Sequence, residues 1–311
     1  MRFPSAFLLL VAAAFSPSAA LCPVKGGGNS SATAAASDSV LMYVGAYTRD
    51  EGWVNGTAKG INTFTLNTRT GALAHVSETV VGINPTFIRG TSLKHKAAGA
   101  KQFLYAVNEV SEKSIETPGT TTGFVVAIEV TGKGQLKVLN SVETRGNGPT
   151  HVSVSPKEDF VAAAIGKIAY VVDELSNTIG VFSLNAADKS LPLEASQNIA
   201  TLPVGFNGTS SSADIHVSAD GKFVYSSNRG HNSIAIFRVT SQKTGALESV
   251  GFESTRGELP RSFLLVKDLL VVANQNTNNI EVFRRKSDGS LAHTGQSAKS
   301  NTPVSVFIPE Q

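Results

Sequence analysis

From Val40 onward, short apolar runs alternate with clusters of Gly, Asn, Asp and Ser, and almost nothing repeats at helical spacing. The runs are of strand length. In "YVVDELSNTIGVF", Tyr170 to Phe182, apolar residues lead into Asp173-Glu174, the chain turns through Ser176-Asn177, and a second strand begins at Ile179. The phrase returns as "YAVNEV", "YSSNRGHNSIAIF" and "VVANQNTNNIEVF", with Glu109, Arg229 and Gln275 in the place of Glu174. "YVGAYT" puts Tyr47 there.

This phrase is the middle of a four-part unit. A short apolar segment, often opened by proline, precedes it ("PTFI", "PTHVSV", "DIHVSA", "PRSFLL", "PVSVFI"). A third strand and a tight turn into a fourth follow it ("TRTGALAHV", "TGKGQLKVL", "ADKSLPLEA", "QKTGALESV", "KSDGSLAHT"). Four short strands per repeat predict an all-β fold, a β-propeller of four-stranded blades over residues 40–311. About five blades are recognisable. The chain opens with a second-strand phrase and ends with a first-strand phrase, so the last strand is expected to complete the first blade and remove an exposed edge.

One blade is malformed near residues 164–168. "HVSVSPKEDFVAAA" already supplies a first strand and most of a second, and "IGKIAYVVDEL" then starts a second strand again. The join near Ala164-Ile165 reads as a fusion of two blades.

Antiparallel pairing of first and second strands brings the start of one and the end of the other to the same end of the blade. One rim of the channel is therefore expected to collect Thr86-Phe87, Thr150-His151, Ile215-His216 and Arg261-Ser262, with Tyr47, Glu109, Glu174, Arg229 and Gln275. These positions differ from blade to blade, as a site does and a scaffold does not.

Composition narrows the function classes. The net charge of +3 in 311 residues and the scatter of 27 basic residues leave no nucleic-acid footprint. Arg2, the apolar run Ala6 to Phe15 and the small residues after it read as a signal peptide over residues 1–22, too short to span a membrane. Residues 23–39 are small and polar, the composition of a linker. A secreted, soluble chain is expected. Cys22 is the lone cysteine, so no intrachain disulfide forms. No histidine pair has ligand spacing, no cysteine cluster exists, and neither a nucleophile elbow nor a phosphate-binding loop is present. Neither a metal nor an organic cofactor is expected.

The phrases "GNGPTHVSVSP", "SADIHVSADGKFVYSSNRGHNSIAIF" and "LLVVANQNTNNIEVFRR" resemble the lactonase family of seven-bladed propellers, which includes bacterial 6-phosphogluconolactonases and fungal carboxymuconate lactonizing enzymes, or carboxymuconate cyclases. The resemblance runs from about Leu41 to Pro309, with about two repeats absent at the join. It implies a proton-transferring acid at Glu174 and an arginine at Arg229 that holds an anionic substrate. The family's histidine and arginine motifs at first-strand openings fall in the absent stretch, and Arg261 is given no role by the resemblance. His151, His216, His231, Glu109 and Gln275 are candidates for substrate contact; for His151 and His216, which recur at one register, the structural alternative is a hydrogen bond at a strand start. Three functions stay open: hydrolysis of a small anionic or sugar lactone, cyclisation of a carboxymuconate-like acid, and a secreted propeller that binds without catalysis.

Overall fold

The computed structural model describes residues 10–13, 38–91, 101–110, 123–143, 168–183 and 194–309. In chain order the strands are β1 (Leu10–Ala13), β2 (Ser39–Ala46), β3 (Ile61–Asn67), β4 (Leu73–Thr79), β5 (Pro85–Gly90), β6 (Gln102–Asn108), β7 (Phe124–Thr131), β8 (Gln135–Glu143), β9 (Ile168–Asp173) and β10 (Thr178–Ser183). They continue as β11 (Gln197–Ala200), β12 (Ser211–Val217), β13 (Phe223–Arg229), β14 (Ser233–Val239), β15 (Leu247–Ser254), β16 (Pro260–Val266), β17 (Leu269–Asn274), β18 (Asn279–Arg285), β19 (Leu291–Lys299) and β20 (Pro303–Phe307). They form five four-stranded antiparallel sheets, ordered β20-β2-β3-β4, β5-β6-β7-β8, β1-β9-β10-β11, β12-β13-β14-β15 and β16-β17-β18-β19.

Burial explains the hydrophobic pattern. A second strand has a neighbouring sheet on each face, so β17 (LLVVAN) is buried at every residue and reads as a continuous apolar run. The outermost strand β15 (LESVGFES) is largely exposed and carries charge. The expected closure of the first blade is present: β20 pairs with β2, with Tyr43 opposite Phe307 and Gly45 opposite Ser305. Only glycine fits at residue 45, because a Cβ there would lie 2.4 Å from the carbonyl oxygen of Pro85.

The sheets pack face to face through apolar seams. Met42, Phe64, Val271 and Val282 fill one; Tyr43, Ile88, Leu104 and Val126 fill the next. Tyr170, Val181, Val224 and Phe237 fill a third, and Tyr225, Phe263, Leu270 and Phe283 a fourth. Two seams carry the same polar stitch: Tyr170 Oη donates to Gly245 O at 2.9 Å, and Tyr225 Oη to Gly289 O at 2.8 Å. Each tyrosine thus reaches the tight turn of the following blade, whereas the hydroxyl of Tyr43, early in the second strand of the first blade, is buried without such a partner.

Four such seams join five sheets in sequence, and among the described residues no fifth apolar cluster joins the β5–β8 sheet to the β9–β11 sheet. The outer flank of the β5–β8 sheet shows the consequence, since Phe87, Phe103, Tyr105 and Val125 remain only half-buried there. Residues 144–167, which contain the join that the sequence reads as a fusion, lie outside the described set. The malformed blade completes itself differently from its neighbours. Its innermost strand is β1, which runs antiparallel to β9 with Leu10 opposite Val172. This places backbone from the stretch read as a signal peptide inside a blade. No helix among the described residues is long and apolar enough to cross a membrane.

Candidate active site

Three blades build the same loop between second and third strands. The loops 174–177, 229–232 and 275–278 are flanked by the pairs Asp173↔Thr178, Asn228↔Ser233 and Asn274↔Asn279. The last residue of each is an asparagine with φ of 53°, 54° and 55°, a left-handed conformation that asparagine tolerates better than most residues. The residue before the loop anchors it. Asn108, Asn228 and Asn274 donate through Nδ2 to the carbonyls of Ile83, Thr201 and Thr255, at 2.5, 2.6 and 2.9 Å. Asp173 cannot donate, and its Oδ1 instead accepts from the N–H groups of Leu175 and Ser176, both at 3.1 Å. In the repeated pair, the first residue thus fixes the loop and the second, Glu109, Glu174, Arg229 or Gln275, is left to vary.

First strands contribute through bulges. The pairing shifts between Pro85 and Phe87, between Ser212 and Ile215, and between Pro260 and Ser262. A bulge re-aims the extra residue. The residues so placed are Thr86, Ala213-Asp214 and Arg261.

Glu174 and Arg229 meet across neighbouring blades. Arg229 Nη2 donates to Glu174 Oε1 and, at 3.1 Å, to Ser212 O. The Ser212 N–H in turn donates to Glu174 O at 3.0 Å, which locks the two blades together at this point. The Glu174 side chain stays 36% exposed, whereas Arg229 is 16% exposed. Beside them Arg261 Nη2 lies 3.6 Å from Glu109 Oε2, which also accepts from Thr86 Oγ1 at 3.0 Å. The Arg261 guanidinium sits 5.3 Å above the Tyr47 ring. Burial, with help from the Arg261 charge, lowers the Arg229 pKa below its usual value. Burial also works to lower that of Arg261, but Tyr47, Glu109 and Glu174 outweigh it and the net shift is upward. The groups therefore share one field. Arg229 Nε is buried without a hydrogen-bond partner, so the rim holds unused polar capacity.

Other sequence candidates lie elsewhere. His216 pairs opposite Tyr225, and so lies below the rim rather than on it, because β12 begins at Ser211, opposite Arg229. That separation is roughly 13 Å at about 3.3 Å per residue. Its Nε2 is 3.2 Å from Asp214 Oδ1, and its ring meets the Phe263 edge at 4.8 Å. His231 follows Arg229 closely but is engaged by Ser233 Oγ at 2.7 Å and by the rings of Phe206 and Phe252. Gln275 is buried, and its N–H donates to Leu259 O at 3.1 Å beside Arg261. His151 lies outside the described residues. Arg261 and Tyr47, expected at the rim but given no role there, join this cluster, and the bulge between Pro260 and Ser262 is what sets the arginine of "LPRSF" beside Glu109 and Tyr47.

Asp214 carries a prediction of its own. Burial alone would raise its pKa, but His216, the Phe263 N–H and Arg89 outweigh it and hold the carboxyl below the usual range. A depressed folded pKa contributes stability that is complete above the unfolded value of about 3.9 and is lost as pH falls through the folded value. Asp214→Asn is expected to melt at a lower temperature than wild type at pH 6, with the gap closing below about pH 4. A constant gap from pH 6 to pH 3 in thermal scans would exclude this linkage.

Among the described residues no cluster of three or more His, Cys, Asp or Glu could hold a metal ion. A groove of about 450 Å³, lined by Val80, Ile83, Phe124, Val126 and Val138, opens on the β5–β8 sheet. It contains no ionisable side chain and is separate from the carboxylates.

Comparison with known proteins agrees with this architecture. The family profile described as "Lactonase, 7-bladed beta-propeller" matches residues 41–165 and 164–308, two stretches that meet where the repeat breaks. A 6-phosphogluconolactonase of Bacillus subtilis is 37% identical over 169 residues, covering 53% of this chain and 45% of that protein. An uncharacterised protein of Lactococcus lactis subsp. cremoris is 35% identical over 209 residues, covering 64% and 58% respectively. The matches thus span about half the length of these relatives. The periplasmic gluconolactonase of Pseudomonas aeruginosa superposes with a TM-score of 0.72 at 21% identity, covering 87% of this chain and 99% of that one, a likeness of fold. With its repeats, its strand order and this match over most of its length, the chain belongs to the lactonase family of seven-bladed β-propellers.

Proposed function

We propose that the protein hydrolyses a small anionic or sugar lactone at the channel rim. The observation that carries this reading is the Glu174–Arg229 pair, a half-exposed carboxylate held by a buried guanidinium, with Arg261, Glu109 and Tyr47 at the same rim. Glu174 Oε1 is engaged by Arg229, which leaves Oε2 to take a proton from water. The water oxygen then bonds to the lactone carbonyl carbon. As the tetrahedral species collapses, the ring C–O bond breaks and Glu174 returns the proton to the departing alkoxide. Arginine's planar fork suits the carbonyl oxygen as it gains charge, or a carboxylate or phosphate on the substrate.

The likeness to a 6-phosphogluconolactonase of Bacillus and a gluconolactonase of Pseudomonas supports a lactone as the substrate class. A panel of glucono-1,5-lactone, its 6-phosphate and a muconolactone, followed by proton release, tests the reading. Hydrolysis of at least one sugar lactone above the spontaneous rate is expected. Turnover of the muconolactone alone would favour the cyclase reading. A folded protein inert on all three would favour a propeller that only binds, a reading motivated by the five sheets seen against seven in the family.

A further inference from the structure

The loop between β2 and β3 is a built element. It folds back as a narrow hairpin: Gly56 N–H donates to Arg49 O at 3.0 Å, Ala58 N–H to Tyr47 O at 3.3 Å and Glu51 N–H to Val54 O at 3.0 Å. A Cβ at Gly56 would come within 2.7 Å of three backbone atoms of Tyr47 and Arg49, so the two arms touch. Below it, Arg49 Nε donates to the fully buried Glu51 carboxylate at 2.7 Å. Asn84 Nδ2 donates to that same Glu51 oxygen and, at 3.0 Å, to the carbonyl of Glu109. The hairpin is thereby bolted to the blade that carries Glu109.

What it presents is Trp53, the one tryptophan of the chain, 51% exposed. The indole approaches the buried Tyr47 hydroxyl, which also faces Glu109, and the Arg261 guanidinium lies 5.3 Å over the Tyr47 ring. The Arg261 ion pair with Glu109 is long, at 3.6 Å, which leaves guanidinium donors for a ligand. An exposed aromatic face next to an incompletely engaged arginine matches a sugar-acid ligand: its C–H face stacks, and its anionic oxygen is received.

We propose that Trp53 and Arg261, brought together around Tyr47, form a second subsite at the rim, where the indole carries the face of a sugar ring while the guanidinium binds an anionic oxygen of carboxylate or phosphate. The subsite deepens the lactonase reading, on which it relies for the sugar class, but its binding test is independent of turnover.

The sole tryptophan reports directly. Titration of the full chain with D-gluconate and with 6-phosphogluconate is expected to change Trp53 fluorescence saturably, while inorganic phosphate does not. Arg261→Gln should raise the Kd ~10-fold or more, with Arg261→Lys between it and wild type. Trp53→Leu, read by calorimetry, should raise it ~3- to 10-fold. Glu174→Gln should bind within about 3-fold of wild type even where turnover is gone. Tighter binding of 6-phosphogluconate that depends on Arg261 assigns the anion as phosphate, and equal binding assigns it as carboxylate. A Kd unmoved by Arg261→Gln and Arg261→Lys in folded protein, or no saturable signal with either sugar acid, overturns the subsite. Arg261-dependent binding in a protein inert on every lactone would leave the subsite standing and remove the lactonase reading.

Discussion

Glu174→Gln is expected to lower kcat for lactone hydrolysis by about 10²- to 10⁴-fold while the protein melts close to wild type. Glutamine keeps an oxygen that accepts the Arg229 Nη2 hydrogen bond, so the contact between the two blades survives. It loses only the ability to take up a proton. Because Glu174 is partly exposed, replacing the ion pair by a neutral hydrogen bond should change stability by less than about 1 kcal/mol. A variant with full turnover would remove Glu174 from the chemistry. A fall in activity matched by a large fall in melting temperature would assign Glu174 to architecture instead.

Glu51→Ala should have the largest effect on stability, a loss of about 3 to 5 kcal/mol read from denaturant unfolding. Glu51 is fully buried and accepts from both Arg49 and Asn84. Its removal leaves the Arg49 guanidinium, itself 6% exposed, without a counter-charge. Asn84 would lose one of its two acceptors and with it part of its hold on the hairpin. A loss below about 1 kcal/mol would mean that water enters and solvates Arg49, and that the hairpin is less firmly held than its hydrogen bonds suggest.

Much of this architecture was legible because it repeats. The alternation of largely buried second strands with half-exposed fourth strands follows directly from one element being covered on both faces and the other on one. The Asn or Asp before the variable position was visible in the letters. Its reason was not: Asn228 and Asn274 act on carbonyls well back along the chain, in the connection between blades. Bulges decide two of the expected rim positions. "DIHVSA" reads as a strand opening at Asp214, but the pairing starts at Ser211 and shifts before Ile215, which sinks His216 below the rim. The same kind of shift between Pro260 and Ser262 brings up Arg261. Register depends on the partner strand's hydrogen bonds, and a local pattern carries no trace of an extra residue. The Arg49–Glu51–Asn84 network was illegible for a related reason, since Asn84 joins it from the start of another blade.

The four seams that join five sheets have a mechanical corollary. In a stack of repeats each unit is steadied by its neighbours, so a unit with a neighbour on one side only opens with less free energy than one held between two. Among the described residues the sheets carrying Glu174 and Glu109 are the two termini of this arc, whereas Arg229, Arg261 and Tyr47 stand on its interior members. Amide exchange should therefore be fastest around the acids and slowest beneath the cationic and aromatic groups, and a ligand bridging both kinds would splint the ends to the middle.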